Sequence, residues 1–272
     1  MNRWIYLFGC LLFFAVNANA QYFFDYHNFT LGAGTMVFRG DVPQSMTNLR
    51  PAAIASYGFP LSEQTSIRFN AIYASYRGAD SLTGDNKQRN ISFKSPLYEG
   101  GVIITHEPFK KRMGKFYKKS HLSPYFLYGV NFFYFSPSAK YQGEYWDLQS
   151  LGTEGQYLPE KYGNTYPKPY KKYQFAVPLG VGLSYYFTEY MSINAELMYH
   201  FTFTDYMDDV SASSYPNPQY LTEWNPVAGA LSNPNPDLVV TEYSVRGNPK
   251  KKDTYFIPTL TLTYHMRWRR SW

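Results

Sequence analysis

Residues 191–203 read MSINAELMYHFTF, in which Met191, Ile193, Ala195, Leu197, Tyr199, Phe201 and Phe203 are apolar while Ser192, Asn194, Glu196, His200 and Thr202 intervene. Successive side chains of a strand point to opposite faces, so this segment predicts a strand with one apolar and one polar face. The period recurs at 173–187, where Phe175, Val177, Leu179, Val181, Leu183, Tyr185 and Phe187 oppose Gln174, Ala176, Pro178, Gly180, Gly182 and Ser184. It recurs again near the C-terminus, where Phe256, Leu260, Leu262, Tyr264 and Met266 oppose Thr259, Thr261, Thr263 and His265. Followed along the chain, the pattern predicts strands at 27–39, 50–59, 65–77, 90–106, 123–135, 173–187, 191–203 and 253–268. These are long enough to cross a bilayer at a tilt. The fold class expected is therefore all-β: an antiparallel transmembrane β-barrel of about eight strands, apolar face to lipid and polar face to the lumen.

The connections sort by length. An even strand number puts both termini on one side, which for a bacterial outer-membrane barrel is the periplasm. Segments 60–64 and 188–190 are then short periplasmic turns, while 40–49, 78–89, 136–172 and 204–252 are long extracellular loops. The segment 107–122 breaks the pattern, being long, periplasmic by topology, and rich in Lys110, Lys111, Arg112, Lys115, Lys118 and Lys119. With Arg267, Arg269 and Arg270 at the terminus it predicts a cationic periplasmic face able to steer and hold an acidic partner.

Export is written at the start of the chain. Arg3 precedes an apolar run over 4–16, and Ala18-Asn19-Ala20 is a small-residue cleavage box, so residues 1–20 read as a signal peptide and 21–272 as the mature barrel domain. The only cysteine, Cys10, lies inside the apolar run, which continues through Leu11, Leu12, Phe13 and Phe14. Lipidation there is not expected, and the mature chain has neither a disulfide nor a thiol nucleophile. Aromatic residues make up 20% of the chain, with 28 tyrosines, and the mean hydropathy is −0.41. That is too polar for a bundle of spanning helices, and aromatic girdles at two membrane interfaces account for both values. A secreted β-sandwich with an aromatic core is the competing expectation.

An eight-stranded barrel is just wide enough for side chains to fill, so free diffusion through it is not expected. Lumen-facing Arg68, Asn70, Asn194, Glu196, His200 and His265 should satisfy one another, because an unpaired charge in a narrow interior is costly. At the mouth, Asp205, Asp208 and Asp209 fall within five positions. Their spacing does not match an EF-hand loop, although carboxylates so placed could bind Ca²⁺. They are expected to cap turns or to pair with cations of neighbouring loops, with Glu154 and Arg246 as members of one mouth network and residues 153–156 folded over the opening. No cofactor is expected. The net charge of +6 does not point to nucleic acid, since an exported chain without a nucleic-acid module has no such partner. The Lys250-Lys251-Lys252 run reads as a solvated loop or a contact with lipid phosphates.

A family resemblance rests on short stretches distributed along the mature chain. They are Phe203-Thr204-Asp205-Tyr206-Met207-Asp208-Asp209-Val210-Ser211, Gly152-Thr153-Glu154-Gly155-Gln156, Arg39-Gly40-Asp41, Ser123-Pro124-Tyr125-Phe126-Leu127-Tyr128-Gly129, Arg246-Gly247 and Asp253-Thr254-Tyr255. With them the chain resembles the PorG-like barrel family of Bacteroidetes, an outer-membrane component of the type IX secretion machinery. The Thr204–Ser211 stretch is the specific part, and Tyr157 departs from the glycine expected after Gly155-Gln156. The resemblance implies a non-enzymatic barrel that anchors a periplasmic ring, built from a lipoprotein and its partner, to the outer membrane. A family paralogue outside secretion and a lipid-modifying enzyme are the alternatives. The enzyme would draw on His200, His265, Glu196 and a hydroxyl such as Thr263.

Overall fold

The structure is a computed structural model that describes residues 26–62, 64–82, 86–109, 121–159, 166–212 and 214–267. The signal peptide, the basic stretch Lys110, Lys111, Arg112, Lys115, Lys118 and Lys119, and Arg269 and Arg270 lie outside the described residues; of Arg267 only the backbone is described.

Among the described residues ten strands follow one another: β1 (Tyr26–Arg39), β2 (Arg50–Pro60), β3 (Thr65–Ala79), β4 (Ser92–His106), β5 (His121–Phe135), β6 (Ser138–Tyr141), β7 (Glu144–Asp147), β8 (Tyr173–Tyr186), β9 (Met191–Thr202) and β10 (Thr254–Arg267). Eight of them form the barrel, each antiparallel to its neighbours, and β1 closes it by pairing with β10 from Tyr26↔Arg267 to Arg39↔Thr254. This is the expected fold class, with strand ends within two residues of those read from the alternation. The closed sheet also disposes of the sandwich alternative, which needs two open sheets.

Alternation continues as burial. In β9 every second residue from Ser192 to Thr202 is buried and the intervening ones are mostly exposed, and β3 and β4 follow the same rule over most of their length. The outer wall carries Leu31, Leu179, Val181, Leu183, Leu197, Leu260 and Leu262, all exposed, in a continuous apolar belt. Water would not tolerate such a belt on a monomer, whereas lipid requires it. Tyrosines ring the wall toward the long loops, with Tyr73–Tyr98 centroids 5.1 Å apart, Tyr98–Tyr134 6.3 Å and Tyr134–Tyr173 4.9 Å. A second girdle near the chain ends includes Phe29–Tyr57 at 5.1 Å and Phe59–Phe69 at 6.4 Å. The chain is thus an outer-membrane-type barrel, and no helix among the described residues is long and apolar enough to span a membrane.

The lumen is layered. Asn28, Arg68, Ser192, Asn194, Glu196 and His265 lie in the half near the termini, and the half near the long loops is packed with Met36, Phe38, Ile54, Ile72, Tyr76, Phe93, Leu97, Phe133, Phe135 and Ile257 around the buried Glu99–His200 contact. Two loop features were not legible in the alternation. The β6–β7 hairpin turns on Gln142 and Gly143, both at positive φ (48° and 93°), so Gln-Gly stands where the usual Asn-Gly signal would. Two short helices, α1 (Pro218–Trp224) and α2 (Pro226–Ser232), break up the β9–β10 loop. Asn217 and Asn225 cap them, each accepting two backbone N–H groups, with proline at the first helical position.

Candidate functional site: lumen and mouth

The lumen residues read from the sequence belong to several clusters rather than one network. Arg68 from β3 crosses the barrel to Glu196 on β9 in a two-pronged pair, Nη1–Oε1 2.7 Å and Nη2–Oε2 3.0 Å, and the Tyr125 hydroxyl donates to Glu196 Oε1 at 2.7 Å. Asn194 donates to the Thr261 and Thr263 hydroxyls at 3.0 and 2.9 Å. His265 bridges Ser192 (3.0 Å) and Asn28 (2.8 Å). His200 Nδ1 sits 3.0 Å from Glu99 Oε1, a contact that carries charge only when the ring is protonated, and its ring stacks on Tyr255 at 4.5 Å. Glu99 also accepts from Asn131 and from the Tyr255 hydroxyl. Asn70 joins none of these clusters: its amide is buried with no hydrogen-bond partner. Glu99, Tyr125, Asn131 and Tyr255 escaped the sequence reading, although each falls on the lumen parity of its strand.

The geometry corrects the enzyme alternative as it was framed. His200 lies opposite Tyr255 on β10, so it stands ten positions from His265, roughly 33 Å along the strand. Thr263 is held by Asn194 and by Thr30 at 2.8 Å. The contacts that do form, Ser192–His265–Asn28, superficially resemble a nucleophile with its base and orienting group. They sit on a lumen hollow of about 50 Å³, and Ser192 is 1% exposed. That is room for water and not for a lipid.

The mouth is sealed by the β9–β10 loop. Met207 is fully buried in the core, its carbonyl accepts from the Tyr76 hydroxyl at 2.9 Å, and its N–H donates to Asp253 at 2.8 Å. Around this plug the acidic residues accept from backbone amides and from hydroxyls. Asp208 accepts from Val42 N–H (2.8 Å) and Val210 N–H (3.1 Å), and Asp205 accepts from the Ser211 hydroxyl at 2.8 Å. Asp209 accepts from Thr153 and, at 2.7 Å, from the Tyr170 hydroxyl. Glu154 pairs with Arg246 at 2.6 Å and also accepts from Ser211 and Ala212 N–H, both at 2.9 Å. Arg246 reaches on to the Asp209 carbonyl at 3.2 Å.

The five mouth residues therefore share one buried layer, in which only Glu154 takes the arginine. The sequence reading missed a second ion pair, Arg89 with Asp80, whose Nε–Oδ2 and Nη2–Oδ1 contacts are 2.8 and 2.7 Å. Arg89 also donates to the carbonyls of Arg246 and Asp41. Among the described residues no group of three acidic, His or Cys side chains has the geometry to hold a metal ion. The Gly-Thr-Glu-Gly stretch is explained by backbone: Gly152 and Gly155 adopt φ of 62° and 82°, a region that disfavours other residues. Tyr157 stacks on Trp224 at 6.3 Å and closes against Gly152.

Against known proteins, no family model matches this chain and no curated protein matches it. Among solved structures it is similar to Ail, the attachment invasion locus protein of Yersinia pestis. Identity is 7%, TM-score 0.42, over 89% of this chain and 98% of that one. OprG of Pseudomonas aeruginosa follows at 10% identity and TM-score 0.40 (89% and 95%), and Neisserial surface protein A at 11% and 0.38 (88% and 96%). The likeness lies in the strand plan alone.

Burial sets the acid–base behaviour of the mouth. It raises Asp209 to about 7 against the pull of Arg246, and Asp205 to about 6. Asp208 and Asp253 are also pushed up, by burial first and then by neighbouring carboxylates, which include Asp41 and Asp205 for both and Asp208 for Asp253. Gly40 packs between these two: a Cβ there would stand 2.6 Å from Asp208 Oδ2 and 2.5 Å from Asp253 Oδ1. A carboxyl whose pKa is higher in the closed mouth than in an open one binds protons more tightly when closed. Closure is therefore favoured at low pH and weakens as pH rises from the ordinary value of 3.8 toward about 7 for Asp209. Hydrogen-exchange protection of the Val42, Met207 and Val210 amides, corrected for intrinsic rates, should be greater at pH 5 than at pH 8. Equal or reversed protection would contradict this linkage.

Proposed function

We propose that this protein is a non-enzymatic outer-membrane component of the type IX protein secretion machinery, anchoring a periplasmic ring of a lipoprotein and its partner. In this reading both termini and the short turns face the periplasm and the long loops face outward. What supports it most is where the resemblance-bearing stretches meet. Residues 40–41, 152–155, 204–211 and 246–253 come from four separate parts of the chain, yet they contribute to one largely buried layer at the mouth. Gly40 packs against Asp208 and Asp253, Arg246 holds Glu154, Gly247 N–H donates to Ala212 at 2.9 Å, and Asn248 N–H donates to Asp41 at 2.6 Å. A filled lumen under a closed mouth suits a scaffold that acts through its ends.

The test is co-purification from gently solubilised outer membranes. Periplasmic ring components should accompany the tagged protein and be lost at high salt. They should also be lost when Lys110, Lys111, Arg112, Lys115, Lys118 and Lys119 are neutralised together. A folded barrel that brings down no ring component overturns the anchoring role and leaves a family paralogue outside secretion. Hydrolysis of phospholipid by the purified barrel would overturn the non-enzymatic reading.

A further inference from the structure

Four cations surround one hollow at the long-loop end of the barrel. Arg50 opens β2, Arg77 lies near the end of β3, Lys94 near the start of β4 and Lys140 in β6, and with Ser138 and Tyr145 they border about 240 Å³ of space that, among the described residues, no Asp or Glu lines. Arg77 and Lys94 are direct partners across the β3–β4 ladder. Like charges so placed repel one another unless something negative lies between them. The Lys94 ammonium is held 3.0 Å above the centre of the Tyr145 ring. Arg77 Nε is buried and bonds nothing. Two carboxylates next to lining strands or loops are engaged elsewhere, Asp80 with Arg89 and Asp147 with Lys172 at 2.6 Å. No ion pair among the described residues involves any of the four cations.

Height and what lies below identify the occupant. Tyr73 and Tyr98 are register partners in the aromatic girdle, and Arg77 and Lys94 sit four residues further toward the long loops on the same face of the same two strands. That is about 10 Å of rise once strand tilt is allowed for, which carries the cations past the hydrocarbon edge into the polar headgroup layer. Beneath them the outer wall is cut back. Ala53, Ala55, Ala71 and Gly100 floor an apolar groove of about 690 Å³ whose sides include Tyr98 and Phe132. Charge above and an acyl-wide groove below lie on the same strands, β2 to β4.

We propose that this wall carries a specific lipid site: the cationic hollow takes the phosphate of an anionic headgroup, and the alanine-floored groove takes an acyl chain of the same molecule. The Arg77 guanidinium presents a fork of donors to phosphate oxygens, while Lys94 and Lys140 supply point charges beside it. The phosphate also relieves the Arg77–Lys94 repulsion.

The experiment is native mass spectrometry of the detergent-solubilised full barrel titrated with phosphatidic acid, with diacylglycerol of identical chains, and with inorganic phosphate. Phosphatidic acid should bind most tightly. Arg77→Gln with Lys94→Gln should weaken it by roughly 25-fold, at about fivefold per cation near a membrane surface. Arg77→Lys should keep most of the binding. Ala55→Leu with Ala71→Leu, which fills the groove and leaves the cations in place, should also weaken phosphatidic acid. Retained heat-modifiable migration on gels certifies that each variant is folded. Equal binding of diacylglycerol, or unchanged binding by either double variant, would overturn the site. Inorganic phosphate binding as tightly as phosphatidic acid would replace the lipid by a free anion and overturn the assignment equally.

Discussion

Glu154→Ala is expected to release the β9–β10 loop from the mouth at a cost of about 3–5 kcal/mol, the range for removing one partner of a buried ion pair. Both side chains of this pair are essentially inaccessible, Arg246 at 1% and Glu154 at 0%. The truncation takes away the guanidinium's ion-pair partner and leaves its hydrogen bonds to the Asp209 carbonyl and the Thr153 hydroxyl, with the Asp209 carboxyl nearby. It also removes the acceptor of two backbone N–H groups, Ser211 and Ala212, and buried donors left unmade are costly in themselves. Glu154→Gln keeps an acceptor for those amides and loses only the charge, so it should fall between the wild type and the alanine variant. Limited proteolysis reads the outcome: the alanine variant should be cut within residues 203–253 while the barrel keeps its heat-modifiable migration. A loop as resistant as wild type would show that the pair does not hold the mouth.

The second large effect lies inside the barrel. Glu196→Ala should destabilise the protein by a similar amount, about 3–5 kcal/mol, because Arg68, with its side chain 12% exposed, would face the lumen without a counter-charge. Tyr125 would lose its acceptor as well. The cost belongs to the orphaned charge, so Arg68→Met combined with Glu196→Leu should restore most of the stability, the pair's attraction being largely offset by its own desolvation. Urea titration in lipid vesicles, followed by the heat-modifiable band, measures all of these. Additive losses in the double variant would show that the two side chains do not act as a pair.

Strands were legible because a barrel wall obeys one rule along its whole length. Lipid on one face and a crowded lumen on the other enforce period two, and register follows from tight turns such as that closing on Thr65 (Leu61 N to Thr65 O, 2.8 Å). The mouth was legible only as a list of residue types. The acidic run, Glu154 and Arg246 could be named, but which carboxylate takes the arginine depends on loop paths that carry no periodic signal. Arg89 and Asp80 therefore went unnoticed. Lumen clusters failed in a different way. Glu99 shares the inward parity of Leu97 and Ile103, but its contacts with Asn131 and Tyr255 come from other strands, and alternation does not encode the stagger that brings them level. The cationic hollow needed the same information, since Arg77 and Lys94 are 17 positions apart in the chain and become neighbours only through the β3–β4 register.

That the barrel is a sealed wall, with its work done at the ends and on the outer face, is tested most directly by planar-bilayer conductance of the refolded protein. The apolar plug around Met207 and the Arg68–Glu196 crossing beneath it predict no stable open-channel steps at neutral or acidic pH. Long-lived, uniform conductance steps from the wild-type protein would contradict the sealed barrel and make the lumen a path.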